Sequence, residues 1–332
     1  MKSLEEVFDG FKNKTVLVVG DVMIDYYMHG QVSRISPEAP VPVLKLGRQE
    51  KRLGGAANVA MNIRALGATP ILCSVVGDDS DGAAFEQLLE YENMPNKGII
   101  RSQNRVTTTK LRIMSDLQHL VRVDTEDVHP LVDLDQKSLL HHIKNLLEEC
   151  DLVIFEDYDK GTINPEVIQE TIALAQEKNI PVAVDPKTRN FTKYQGVSIF
   201  KVNIADLKDG LDIEFDALEE SQFENAVKQL KNSVKAENYL ITLSKKGIFY
   251  DSEKSSGKLS AHPRQISEVL GAGDTVISIA GLCLTLGLPL EFIAELANLG
   301  GGIVCELPGA VPINKEILLK QAKENSILKK YL

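Results

Sequence analysis

Residues 15–20, Thr-Val-Leu-Val-Val-Gly, form an unbroken apolar run ending in glycine. Further apolar runs recur at 71–76, 152–155, 182–184, 199–202 and 239–242. A strand buried on both faces, as in the middle of a parallel sheet, requires such a run. Around these runs the apolar residues switch to helical spacing, at 56–66, 82–91, 139–147, 165–178 and 219–234. Strands alternating with helices predict βαβ units, hence an α/β protein with a mostly parallel central sheet flanked by helices on both faces. Such sheets bind ligands off the carboxyl ends of their strands. Polar residues gather at those ends: Asp21 and Asp25, Glu156-Asp157, Asp185-Pro186-Lys187, and Asn203 to Asp206. A loop or helix-cap role is the alternative for each, because Asp and Asn are favoured there.

Two segments break the alternation. Residues 26–46 carry Pro37, Pro40 and Pro42 among apolar residues, and 107–123 read as a β-hairpin with strands at 107–113 and 119–123. They predict a small β-lid, built from inserts at about 26–46 and 105–124, on a single domain spanning 1–332. A lid excludes water, which suits group transfer. Exposed lid strands tend to pair, so a homodimer through the lid is expected. Arg101, Arg105, Lys110, Arg112 and Arg122 make this region locally basic. They are candidates for an anionic group, or simply cations that keep edge strands from aggregating.

The net charge of −10 argues against a nucleic-acid surface. No apolar run is long enough to span a bilayer, and the N-terminus lacks the apolar core of a signal peptide. Cys73, Cys150, Cys283 and Cys305 are widely spaced and show no metal-ligand pattern. A reduced, cytoplasmic protein with no membrane partner is expected.

The turn Gly271-Ala272-Gly273 runs into Asp274 and a long apolar stretch, 276–288, that predicts a buried helix with Asp274 in its first turn. First-turn amides lack internal partners and, with the helix dipole, favour an anion. A carboxylate beside that cradle could accept the proton of a hydroxyl receiving a phosphoryl group. Helix N-termini with an acidic first turn are also common without any such role. The dipole is expected to favour ionised Asp274 and so make it a weak base. Earlier, Gly54-Gly55 precede a second helix on which Asn58 and Asn62 share a face.

Two glycine-led helices at opposite ends of the chain resemble the ribokinase-like (PfkB) carbohydrate kinase family. Gly54-Gly55-Ala56-Ala57-Asn58 is similar to its first signature and Gly271-Ala272-Gly273-Asp274 to its second. The resemblance covers essentially the whole chain. Ser33 to Val43, Asp157-Tyr158-Asp159-Lys160-Gly161, Asp185-Pro186-Lys187, and Thr109 to Arg112 with Leu120 to Asp124 are similar to the bacterial members that phosphorylate D-glycero-D-manno-heptose 7-phosphate. The resemblance therefore implies a ribokinase-like fold and an ATP-dependent kinase using Mg²⁺. The implied reaction is phosphorylation of the anomeric hydroxyl of that sugar phosphate, feeding ADP-heptose and lipopolysaccharide inner-core synthesis. Some such kinases are fused to a nucleotidyltransferase. This chain ends soon after the second signature, so the kinase alone is expected.

Carried over by position, the resemblance makes Asp274 the general base and gives the amides of Gly271, Ala272 and Gly273 the developing anion. Asp25, Gly54, Gly55 and Asn58 would fix sugar hydroxyls. Asn203, Asp206, Thr242, Gly247 and Asn298 would line the ATP site. Lys110, Arg112 and Arg122 are assigned to the sugar's 7-phosphate from charge and lid position, two arginines being able to grip a phosphate bidentately. No residue is assigned to metal, which would be held largely by substrate and water. The chain departs from the family at Leu270 (usually Thr), Glu268 (usually Asp), Asp206 (usually Glu), Leu243 and Ser244. The first two bear on a monovalent-cation or backbone role in the glycine turn. Alternatives are another sugar or sugar-phosphate kinase of the family, acting on fructose, ribose or a hexose phosphate, and a non-catalytic sugar sensor. A dinucleotide-dependent oxidoreductase is disfavoured because Gly20-Asp21-Val22 lacks the Gly-x-Gly-x-x-Gly fingerprint, and the P-loop pattern is also absent.

Overall fold

The computed structural model describes residues 3–115, 118–266 and 269–331. Its strands are β1 (Thr15–Gly20), β2 (Val22–Ile35), β3 (Pro42–Gly55), β4 (Thr69–Gly77), β5 (Gly98–Ser102), β6 (Thr109–Ser115), β7 (Gln118–Thr125), β8 (Leu152–Glu156), β9 (Val182–Asp185), β10 (Val197–Asn203), β11 (Ala236–Thr242), β12 (Ile248–Ser252) and β13 (Ser256–Leu259). Its α-helices are α1 (Leu4–Phe11), α2 (Ala56–Ala65), α3 (Ser80–Tyr91), α4 (Asp133–Leu146), α5 (Pro165–Glu177), α6 (Ile204–Leu211), α7 (Glu220–Ser233), α8 (Ala272–Thr285), α9 (Leu290–Val304) and α10 (Lys315–Glu324).

Nine strands form one sheet in the order β13-β12-β11-β10-β9-β8-β1-β4-β5. All pairings from β11 to β5 are parallel, and only β12 and β13 run antiparallel. Alternate residues of β1 enter opposite cores because successive side chains point to opposite faces. Val16 and Val18 pack with residues of α1, α2, α8, α9 and α10. Leu17 and Val19 pack with residues of α4, α5, α6 and α7. The sheet is thus covered on both faces, as the apolar runs require.

The lid is a separate four-stranded sheet, β3-β2-β6-β7. It is larger than the sequence predicts. β2 and β3 pair from Val22↔Gly55 to Ile35↔Pro42, so the insert spans 22–55 rather than 26–46. Met23, Ile24 and Leu53 are buried at its root, where the hairpin emerges from the core. Asp25 therefore lies within a lid strand, not in a loop after β1, and Gly54 and Gly55 end a strand. The second hairpin is shifted to 109–125 and its turn, 116–117, lies outside the described residues.

The run Gly300-Gly301-Gly302, which would break an isolated helix, lies wholly inside α9. A side chain at Gly300 would overlap Ile279, and one at Gly301 would meet Val276 at 2.8 Å. The glycines let α9 lie close against α8, and that packing outweighs their cost within a helix.

Candidate functional site

The chain leaves β1 toward β4 and β5, then returns on the other side of β1 as β8. This change of direction leaves a crevice at the carboxyl ends of β1 and β8. Two acids there are committed to building its wall. Asp21 accepts from the amides of Tyr158, Lys160 and Thr162 at 2.9, 3.0 and 3.0 Å. Asp157 accepts from the amide of Asp159, from Asn190 and from the Tyr194 hydroxyl at 2.9, 3.1 and 2.7 Å. Burial, and then the nearby Asp21, push the Asp157 carboxyl up to about 7. Together they fix the loop 157–162.

On the facing side α8 begins after Gly271, which adopts φ +76°. An L side chain is strained in that left-handed conformation. A Cβ there would also come within 2.9 Å of the Asn58 amide nitrogen. Gly271, Ala272 and Gly273 are half-buried, so the turn reaches solvent. The Ala272 amide is aimed at the Val269 carbonyl at 3.5 Å, a length at which little bond strength remains.

Asp274 is 5% exposed. Its Oδ2 accepts from the Asn58 side-chain amide at 2.5 Å, and its Oδ1 from the Tyr158 hydroxyl at 2.9 Å. The first motif's helix thus meets the second motif's acid. Burial pushes the Asp274 carboxyl up. Asn58 and Tyr158 work against that shift, Asp185 adds to it and Lys201 opposes it. The direction is upward because desolvation is the largest influence and outweighs the two hydrogen bonds. A raised carboxyl is a stronger proton acceptor than the sequence reading supposed.

Asn62, fully buried, braces this contact. Its Nδ2 donates to the Asn58 carbonyl at 2.9 Å, and its Oδ1 accepts from Thr275 Oγ1 at 2.9 Å and from the Ile313 amide at 3.0 Å.

Behind the turn lies a charged cluster. Lys201 on β10 is buried and pairs with Asp185 on β9. Its ammonium would lie 2.8 Å from a Cβ placed on Gly273. Burial opposes its charge, but Asp185, Glu156 and Asp274 outweigh that and raise it above the ordinary lysine value. Glu156, opposite Asp185 in the β8–β9 register, is buried with an unpartnered Oε2. Burial, followed by Asp185 and Asp274, drives it well above the usual carboxylate range.

The lid presents a charged inner face. Asp25 stands opposite Arg52 on β3 and Lys110 on β6, and Lys110 stands opposite Asp124 on β7. Tyr27 is likewise opposite Glu50 and Arg112, and Arg112 is opposite Arg122. Residues opposite one another in a sheet share a face, as do residues two apart. The three cations assigned to a phosphate therefore lie on the face that carries Asp25. Arg112 is buried against Asp25 at 2.5 Å and lies over the Tyr27 ring. Arg52 lies over the same ring and pairs with Glu50. Gly54 carries no Cβ where one would approach the Asp25 carboxylate at 2.5 Å. Lys110 pairs with Asp124 and Glu126, and the more exposed Arg122 with Asp124. Arg101 and Arg105 do not join them. Arg101 pairs with Glu86 on β5's side of the main sheet, and Arg105 donates to the Lys160 carbonyl. Arg101 is thus on the main sheet, whereas Lys110, Arg112 and Arg122 are on the lid sheet.

The residues assigned to a nucleotide form a second group. Asn203 and Thr242 are direct neighbours at the ends of β10 and β11. Asn203 caps α6 by accepting the Asp206 amide at 2.9 Å and donates to the Asp206 carboxylate at 2.5 Å, where Lys187 also donates at 2.5 Å. Gly247 (φ +99°) turns between β11 and β12 against the backbone of 259–261, and Asn298 on α9 donates to the Ser260 carbonyl at 2.9 Å. Ser244, where glycine is usual, holds φ +54°. Leu270 is described, whereas Glu268 lies outside the described residues.

Residues at the site that carried no role in the sequence reading are Tyr158, Lys201, Lys187, Asp185, Glu156, Arg52 and Asn62. A lysine inside the apolar run of β10 was the one available signal for Lys201, since a buried lysine requires a partner.

A family model described as the pfkB family carbohydrate kinase matches residues 13–317. The "Bifunctional protein HldE" of Wolinella succinogenes is 40% identical over 291 residues, which is 87% of this chain and 60% of that protein. The protein of the same name from Chromohalobacter salexigens is 40% identical over 305 residues, 90% of this chain and 61% of that protein. The chain thus spans about three fifths of the length of these curated relatives. Among solved structures, Escherichia coli phosphofructokinase-2 in complex with potassium superposes with a TM-score of 0.76 at 18% identity, covering 92% of this chain and 97% of that one. Arabidopsis thaliana ribokinase complexed with ribose and ATP gives 0.71 at 16% identity, covering 92% and 99%. These structures share the fold: a mostly parallel sheet flanked by helices. With the family match running from β1 to α10, the chain belongs to the pfkB family of carbohydrate kinases, phosphotransferases whose acceptor is a sugar hydroxyl.

Proposed function

We propose that this chain transfers a phosphoryl group from ATP to the anomeric hydroxyl of D-glycero-D-manno-heptose 7-phosphate, giving the 1,7-bisphosphate, in the cytoplasm as a step toward ADP-heptose. The observation that carries the reading is the position of Asp274: a buried acid at the mouth of α8, joined to Asn58 on α2, the helix that directly follows lid strand β3, in a lid sheet whose charged face bears Asp25, Arg112, Lys110 and Arg122. Asp25, Asn58 and the Gly54-Gly55 strand end fix sugar hydroxyls. Lys110, Arg112 and Arg122 take the 7-phosphate, which a neutral sugar could not offer. Asp274 accepts the hydroxyl proton, and the amides of 271–273 stabilise charge on the phosphoryl group in transit. Asn203, Asp206, Thr242, Gly247 and Asn298 line the ATP side.

A divalent ion, Mg²⁺, would arrive with the nucleotide and neutralise its phosphates. Among the described residues no group of three or more His, Cys, Asp or Glu is arranged to hold a metal. The nearby Asp185 and Asp206 are engaged by lysines. No protein ligand is assigned to it.

The outer lid face alternates with the charged one. Leu111, Ile113, Val121 and Val123 lie on it, and the last two are 49% and 48% exposed. Pairing two such faces would give a homodimer. No helix among the described residues is long and apolar enough to cross a membrane.

An ADP-release assay across a panel of sugars and sugar phosphates tests the reading. The expected result is turnover with heptose 7-phosphate far above that with unphosphorylated heptose, ribose, fructose or hexose phosphates. A higher kcat/KM for any of those others would overturn the substrate assignment.

A further inference from the structure

We propose that Tyr158 is a positioning residue for Asp274, locking the plane of its carboxylate so that one fixed lone pair meets the sugar hydroxyl. The inference rests on the kinase reading above and adds a residue to it. The terminal torsion of an aspartate is broad and roughly two-fold, so one hydrogen bond leaves the group free to pivot. Here two elements hold it from opposite sides: Asn58 of α2 on Oδ2 and Tyr158 of the 157–162 loop on Oδ1. Each oxygen retains a lone pair for a substrate proton.

The backbone that carries Tyr158 is anchored on both sides of the residue. Its amide, with those of Lys160 and Thr162, is held by Asp21 at the end of β1. The loop next to it is tied by Asp157 to Asn190 and Tyr194. The buried Asp21, which the sugar-site assignment leaves aside, thereby sets the direction of the base from the far side of the crevice. Tyr158 as a residue is half-buried. Burial and the Asp274 charge drive its phenol well above the ordinary tyrosine value, so it stays a neutral donor. The other charged groups around Asp274 are Glu156 from β8, Asp185 from β9 and Lys201 from β10. None of these three donates a hydrogen bond to its carboxylate among those observed.

The test is Tyr158→Phe in the full chain. It is expected to lower kcat at least tenfold, leave the ATP KM within about twofold, and move the acid limb of kcat up by about one pH unit, because a bond that favours the ionised base is gone. A lower melting temperature with an unmoved pH profile would overturn the proposal and leave Tyr158 a structural residue. Should the variant fold poorly, 3-fluorotyrosine at 158 provides a stronger donor of nearly the same shape, and the limb must then move down. An unmoved limb again overturns the proposal. A ¹³C NMR titration of Asp274 without substrate reads the same coupling independently of turnover. If the unsubstituted chain releases no ADP with any sugar, the kinase reading fails, while this titration still decides the role of Tyr158.

Discussion

Replacing Asp274 by Asn separates a catalytic acid from a structural one, and its energetics follow from two hydrogen bonds. Oδ2 accepts from Asn58 at 2.5 Å and Oδ1 from Tyr158 at 2.9 Å. Asparagine keeps one acceptor and turns the other oxygen into an N–H donor, so one of the two partners faces a donor. A hydrogen bond to a charged group is worth about 1.5–3 kcal/mol. Against that loss, the variant no longer buries a charge, and burial is the largest influence raising this carboxyl. The two effects oppose each other, so the net change is smaller than the roughly 1.5–3 kcal/mol of the lost bond, or a shift in Tm of several degrees at most. Loss of a general base costs about 10²–10⁴ in rate. The expected phenotype is thus a folded protein, ATP affinity within a few-fold by calorimetry, and ADP release reduced by at least a hundredfold. Retention of a tenth or more of the turnover would refute the base assignment. Loss of folding or of ATP binding would show that the acid supports the structure instead.

Arg122→Ala is expected to raise the KM for the sugar phosphate much more than that for ATP, with stability almost unchanged, because its pair with Asp124 is exposed and worth at most about 1 kcal/mol. Arg112→Ala should shift KM in the same direction and also cost about 3–5 kcal/mol, since it strands the buried Asp25 carboxylate; equal effects on both KM values would remove these residues from the sugar-phosphate site. Asp157 has a native value of about 7 against an ordinary 3.8, so between those values the native state binds more protons than the unfolded chain and this group's contribution is lost as pH rises. Urea midpoints of Asp157→Asn relative to the unsubstituted protein should therefore improve between pH 5 and pH 8, and a constant difference would refute that account.

Much of the main sheet was legible because buried parallel strands must be continuously apolar, and six such runs became β1, β4, β8, β9, β10 and β11. The antiparallel additions β12 and β13 were not, since their apolar content is shorter and mixed with charge. The glycine triplet inside α9 is equally illegible locally, because glycine breaks an isolated helix, whereas here it fits a neighbouring one. At the site, the pairing of Asn58 with Asp274 was anticipated only as a shared neighbourhood.

Local chemistry alone marked the glycine turn, the acid that follows it and the strand ends where polar groups collect, because those features need only the backbone's own unpaired amides and the burial of apolar runs. What the tertiary structure decided is which charges meet. It set Arg112 on Asp25, Lys201 on Asp185 and Tyr158 on Asp274, and it placed Arg101 on the main sheet rather than the lid. Those pairings join residues from 16 to 116 positions apart. Their strength and their effect on protonation depend on distance and burial, which exist only once the sheets have assembled.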